Sequence, residues 1–320
     1  MLHLRLIVPD GRTDEVVHVI EKTVGTAHLV VLPGAARDPA GDLVLCDVAR
    51  EAGDELISDL CALGLDESGS IAVEDVGLSL SRRAKAAEED APGEGADAVL
   101  WEHLSEATHE ESTLSVTYVA FLTLATMIAA CGVVLDNAVL IVGAMAVGPE
   151  FGPLAGVCTA LVRRRPRPAM RSLVALVAGF AAAIALTVAF SLAMDALGLF
   201  SETKLHGDRP NTGFIYAPDP FSFVVGLLAG AAGTLSLTSA KSGALVGVAI
   251  SVTTVPAAAN AAVALGYGDL AQTRGSVEQL LLNLLAILLA GTLTLLAQKF
   301  FWTRQRERRA RKAAAAEHGA

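Results

Sequence analysis

The chain has 320 residues, 53% of them hydrophobic and only 18% charged, with a net charge of −10. Soluble domains carry about 25% charged residues, so the deficit points to lipid, and no basic stripe over a soluble fold marks a nucleic-acid binder. Four cysteines, Cys46, Cys61, Cys131 and Cys158, show no paired spacing, which argues against a disulfide framework or zinc site and leaves them as small apolar groups.

Residues 1–112 hold most of the acidic side chains. The opening MLHLRLIVPDGRTDE has neither a basic start nor a sustained apolar run, so no cleavable signal peptide is expected. Leu2–Val8 alternates like a strand, and Thr13–Val24 places Val16, Val17, Ile20 and Val24 at helical spacing. Strands follow at His28–Leu32 and Leu43–Val48. Glu51–Leu63 carries Leu56, Ile57, Leu60 and Leu63 on one helical face, and Ile71–Leu80 reads as a closing strand. The order βαββαβ over 1–81 predicts an α+β, ferredoxin-like domain in the cytosol, a plan that suits a small-molecule ligand or self-pairing. Pro9-Asp10-Gly11 and Pro33-Gly34 could edge a ligand, but these residues serve ordinary turns everywhere. No phosphate-cradling glycine loop and no cofactor motif is present. Over 82–112, a charged linker (82–96) leads into an amphipathic helix (97–111) with Val99, Leu100, Trp101 and Leu104.

From here the chain is polytopic. A helix crosses a bilayer with about 20 mainly apolar residues, and about six such spans are read near 114–135, 137–162, 172–197, 221–239, 243–266 and 279–302. Lys and Arg favour cytoplasmic loops. Arg163, Arg164, Arg165, Arg167 and Arg171 follow the second span, Lys241 marks the turn after the fourth, and Arg304–Lys312 follow the sixth as a basic tail over 304–320. The intervening loops carry little basic charge. The expected product is a multi-pass protein of the inner membrane with both termini cytoplasmic.

The second and fifth spans are interrupted. The second contains Gly148, Pro149, Glu150, Gly152 and Pro153; the fifth contains Thr253, Thr254, Pro256 and Asn260. Proline removes a donor and clashes with the preceding turn, and freed backbone groups must be buried or line a wet cavity. Each broken span is the middle of a three-helix unit, 114–198 and 221–302, and three is odd, so the units would be inverted. Paired breaks in inverted repeats point to a transporter's central site. Glu150 is the most telling residue, because a carboxylate at mid-membrane costs on the order of 3 kcal/mol and faces a cavity or a partner. It reads as a proton or cation site with Thr253, Thr254 and Asn260 across from it, or as a carboxylate that merely reaches an aqueous vestibule. Gly152-xxx-Gly156, Gly226-xxx-Gly230 and Gly243-xxx-Gly247 allow close helix approach, inside the bundle or across a homo-oligomer interface.

The strings DNAVLI (136–141), IVGAMAVGPEFGPL (141–154) and SGALVGVAISVTTVPAAANA (242–261) resemble the bacterial hydrophobic family catalogued as domain of unknown function 389. Gly143, Ala144, Met145, Pro149, Gly152 and Pro153 match its first motif. Val255-Pro256 stands where the family commonly has a double proline, and Glu150 where the resemblance implies an apolar residue. The resemblance carries an architecture and no activity.

Two functions remain in competition: a transporter or channel for a small solute or ion with a cytosolic regulatory domain, and a non-transporting sensor or scaffold whose cytosolic domain binds a ligand. An enzyme is not expected. Gly266-Tyr267-Gly268-Asp269 imitates an intramembrane aspartyl protease, but Asp269 lies in a loop with no second mid-membrane aspartate, and no HExxH or Gly-x-Ser-x-Gly motif occurs.

Overall fold

A computed structural model describes residues 1–91, 99–217, 219–238 and 254–317, with side chains placed as far as residue 304. It divides into two compact units, one formed by Met1–His103 and one by Leu104–Leu237 with the described residues from Thr254 onward.

In the first unit, β1 (Leu2–Pro9) buries Leu2, Leu4, Leu6 and Val8, the period-2 pattern of a half-covered sheet. Helix α1 (Thr13–Lys22) sets Val16 and Ile20 on the same core, and α2 (Arg50–Ala62) adds Leu56, Ile57 and Leu60. With β2 (Thr26–Arg37), β3 (Ala40–Val48), the single-turn α3 (Leu65–Ser68) and β4 (Ser70–Asp75), the result is a four-stranded sheet of order β2-β3-β1-β4, every pair antiparallel. The hairpin is longer than the sequence predicts. Pro33-Gly34 lies inside β2, where a register shift between Leu32 and Ala36 absorbs it, and Gly41 continues β3 because a Cβ there would strike the Val8 carbonyl. The last strand is shorter, ending at Asp75.

The charged segment expected to be a linker is in part a helix. Arg82–Asp90 forms α4, capped by Ser81, whose Oγ accepts from the Ala84 amide. Ala84 and Ala87 are buried, and α4 packs on β2 and β3. Its charged side chains face outward, which is why composition alone reads as a linker.

The second unit is helical. The chain from Leu104 continues α5 (Trp101–Glu111) and enters α6 (Val116–Val134), capped by Ser115. The second expected span is two helices, α7 (Ala138–Val147) and α8 (Phe151–Val162), bent by 53°. Next come α9 (Pro166–Ala196), a loop over 197–219 with the short α10 (Glu202–Leu205) and a 3-10 turn (Gly213–Tyr216), and α11 (Pro220–Thr238). After the undescribed stretch, α12 (Val255–Gly266) leads into α13 (Leu270–Glu317). Helix α13 starts nine residues before the expected span at 279 and continues through the basic tail. Asp269 caps it by accepting from the Gln272 amide, and no proline interrupts it.

Four helices are long and apolar enough to cross a membrane, five if α7 and α8 make one bent span. These are the helices of a multi-pass membrane protein. The expected fifth span, 243–266, lies only in its second half, α12, within the described residues. The glycine faces serve packing inside the chain: Gly156 lies against Ser112 and Ser172, and Gly226 and Gly230 lie against Ala286, Ile287 and Ala290. Gly243-xxx-Gly247 and Lys241 fall outside the described residues.

Candidate functional site at two helix starts

Helix α7 ends at Gly148, whose backbone is extended, and Pro149 prevents it from continuing. Glu150 occupies the cap position of α8, its carbonyl accepting from the Leu154 amide while its side chain makes no cap bond. The break is therefore 148–150, shorter than expected. Gly152 and Pro153 sit in the first turn of α8, where proline's missing N–H would have had no intrahelical partner anyway. Pro256 plays the same part in the first turn of α12, and Thr254 stands at its cap, again with no side-chain bond to its own helix.

The two cap residues bond each other instead. The Thr254 hydroxyl donates to Glu150 Oε1 at 2.7 Å, across 104 residues of sequence, with Glu150 1% and Thr254 0% exposed. The second carboxylate oxygen, Oε2, has no hydrogen-bond partner and lies against Gly148. Each helix N-terminus carries about half a positive charge, and two of them converge on this one carboxylate.

The long helix α13 gives the depth of the contact. Asn260 of α12 donates to Ser276 Oγ at 2.7 Å, Cys158 of α8 lies 3.6 Å from the Leu288 carbonyl, and Lys299 donates to the Val162 carbonyl at 3.3 Å. Helices α8 and α12 thus run toward opposite ends of α13 from a common middle. At 1.5 Å per residue, each 12-residue half-helix is about 18 Å long, together about the thickness of a membrane. Helix α8 packs on α9 and α13, and α12 on α9, α13 and α6.

Of the residues named from sequence, Gly148, Glu150 and Thr254 meet, and Pro149, Pro153 and Pro256 shape the helix starts. Gly152 meets instead the end of α5, lying against Glu111 and close to Ser112. Asn260 faces a different set of groups, more than a turn further along α12. Thr253 falls outside the described residues.

Asn260 leads to residues the sequence reading missed. Its Oδ1 accepts from Arg209 at 2.9 Å, and the same guanidinium donates to Gln272 Oε1 at 3.0 Å and lies 4.8 Å over the Tyr216 ring. The loop bearing Arg209 is held down by Asn211 and Thr212 on Asp136, and by His206 on Asp269 at 2.9 Å. The Asp269 hydrogen bond is the chief cause of a raised His206 pKa. A second signal was available: Gln272, Ser276, Gln279 and Asn283 recur at i, i+4, i+7 and i+11, the spacing of one helical face.

In the first unit, His3 and His28 each hydrogen-bond one oxygen of Asp47 at 2.7 Å. Burial acts to raise the Asp47 pKa, but the His28 and His3 bonds outweigh it and hold the carboxyl below its usual range. Among the described residues, no cluster of His, Cys, Asp and Glu could hold a metal ion.

The matched stretch encloses the α7–α8 break, the start of α12 and the polar stripe. Residues 145–289 match the family model described as domain of unknown function (DUF389). The DUF389 region thus contains Glu150, Arg209, Thr254, Asn260 and Gln279. The "Uncharacterized protein MJ0678" of Methanocaldococcus jannaschii is 26% identical over 204 residues, 64% of this chain and 61% of the relative. That relative is archaeal. No solved structure matches the chain.

Proposed function

We propose that the chain is a transporter or channel for a small solute or ion, with its pathway passing between Glu150 and Thr254. The observation that carries this is the buried bond between the cap residues of two oppositely directed half-helices. An anchor has no reason to break two helices and to set a carboxylate at the joint, whereas a binding site needs the freed backbone groups and the charge. Glu150 acts as the proton- or cation-responsive group.

The packing supports an inverted repeat. In the first unit of the repeat α6 packs on α9, in the second α11 packs on α13, and each half-helix touches the third helix of both units. Six spans complete this scheme if 243–253 forms the first half of the fifth. The Arg-rich ends of α8 and α13 then face the cytoplasm of a bacterial or archaeal cell with both termini. The strand order supports a ferredoxin-like N-terminal domain, which on this reading regulates the pathway, and the chain assembles as a homo-oligomer in the bilayer through a lipid-facing surface.

A sensor reading draws on the first unit, where a cleft of about 630 Å³ is lined by Met1, Leu78, Leu80, Ser81, Lys85 and Glu88. Reconstitution in proteoliposomes separates the two. The transport reading expects gradient-driven flux or current whose pH dependence is lost in Glu150→Gln. No flux under any gradient, with a ligand bound by the N-terminal unit of the full chain, would give the function to the sensor.

A further inference from the structure

Resting on the transport reading, we propose that the half of the bundle between Glu150 and Asp269 is a binding path for a small oxyanion, a carboxylate or a phosphate, anchored by Arg209. Arg209 is 6% exposed, yet its partners are neutral: the Asn260 and Gln272 side-chain oxygens and the Tyr216 ring. Its Nε has no partner, and among the described residues no carboxylate lies within ion-pair distance of it. A buried charge without a counter-charge is costly, and a planar guanidinium fork matches two oxyanion oxygens better than two separate amides.

The path continues inward from that anchor. On α13, Gln272 is half-buried while Ser276, Gln279 and Asn283 are buried, so the stripe passes from a mouth into the bundle. Both polar atoms of the Gln279 side chain, 1% exposed, lack hydrogen-bond partners. An amide that could make several bonds and makes none in a buried place is explained by a ligand or water that it serves.

The Asn260–Ser276 bond sets the antiparallel register of α12 and α13. Thr254 lies six residues before Asn260 and Asn283 seven after Ser276, about 9–10 Å deeper on both helices. The stripe therefore ends level with the two helix N-termini and the unpartnered Glu150 Oε2. Arg209 and the helix N-termini attract an anion, and Gln272, Ser276 and Gln279 are uncharged. At the mouth the Asp269 carboxylate is held by His206 and the Gln272 amide, whereas at the inner end Glu150 repels an anion when ionised, so entry to the inner site accompanies its protonation.

The test uses the full-length protein in phosphatidylcholine nanodiscs, with phosphate, sulfate and succinate as probes, by calorimetry and thermal shift. The expected result is saturable binding of at least one probe, weakened about tenfold or more in Arg209→Gln and less in Arg209→Lys, which keeps the charge but loses the fork. Gln279→Leu should also weaken binding, which keeps the test decisive if Arg209→Gln does not fold. Binding by none of the three, unchanged affinity in a folded Arg209→Gln or in Gln279→Leu, or occupation only by phosphatidylglycerol added to the discs would overturn the proposal. Flux in proteoliposomes separates this site from the transport reading. Arg209-dependent binding without flux keeps the site and removes transport; flux of cations indifferent to Arg209→Gln keeps transport and removes the anion path.

Discussion

At the scale of single residues, the Glu150–Thr254 bond makes sharp demands on its neighbours. A Cβ at position 148 would overlap Glu150 Oε2 and come within 2.9 Å of Val255 Cγ2, so Gly148→Ala must displace the carboxylate or the start of α12. A loss of about 1–3 kcal/mol is expected, read as a lowered melting temperature in detergent, whereas Gly143→Ala meets nothing within 4 Å and should be neutral. Thr254→Val removes the hydroxyl that donates to Glu150 Oε1 and should cost about 1–3 kcal/mol. In the first unit, burial, followed by the charge of Asp47, pushes the Cys46 thiol up to about 12. Maleimide should therefore label half-exposed Cys61 well before Cys46 in the native protein. Glu150 and Asn260 were legible because a polar group in an apolar run stands out. Arg209 was not, because its loop resembles any polar loop and its partner Asn260 is 51 residues away.

At the scale of elements, periodicity identified the strands and amphipathic helices of the first unit, while punctuation was the weaker guide. Proline marks a break when it follows an extended residue, as at Gly148-Pro149, and marks a helix start when it falls in the first turn, as at Pro153 and Pro256. The same residue type thus gave two different outcomes within five positions. Helix α4 was hidden because its apolar face is only alanine, with Ala84 and Ala87 on the sheet. The loop over 197–219 makes a pH-dependent prediction. A raised His206 pKa means that its ion pair with Asp269 is fully present below the ordinary histidine value and is lost as pH rises through the folded one. Asp269, held below its usual range first by the Gln272 amide, then by His206, stays ionised throughout. Protection of the amides around 202–206, taken relative to their intrinsic exchange at each pH, should therefore fall as pH rises above the ordinary histidine value, and His206→Gln should remove that fall.

At the scale of the whole molecule, composition was enough to separate a sheet-containing unit from an apolar helical one. The division at His103 and Leu104 falls within α5, inside the amphipathic helix expected over 97–111. Spans were legible by length and hydropathy, but not the meeting of the starts of α8 and α12, because these helices come together through packing on the distant α9 and α13. The inverted-repeat reading predicts that tags placed at the N-terminus and after residue 317 are protected or digested together in sealed vesicles. Opposite exposure would remove six spans and the repeat.

The central claim is that polar groups between the half-helices serve a water-filled path rather than a dry core. Its most direct test is the reactivity of Gln279→Cys in a background lacking Cys46, Cys61, Cys131 and Cys158, with exposed Leu285→Cys on the same helix as the lipid-facing control. A membrane-impermeant, charged methanethiosulfonate should modify Cys at 279 from one side of the membrane and leave Cys at 285 untouched. If 279 is inert to the charged reagent from both sides, the path does not exist.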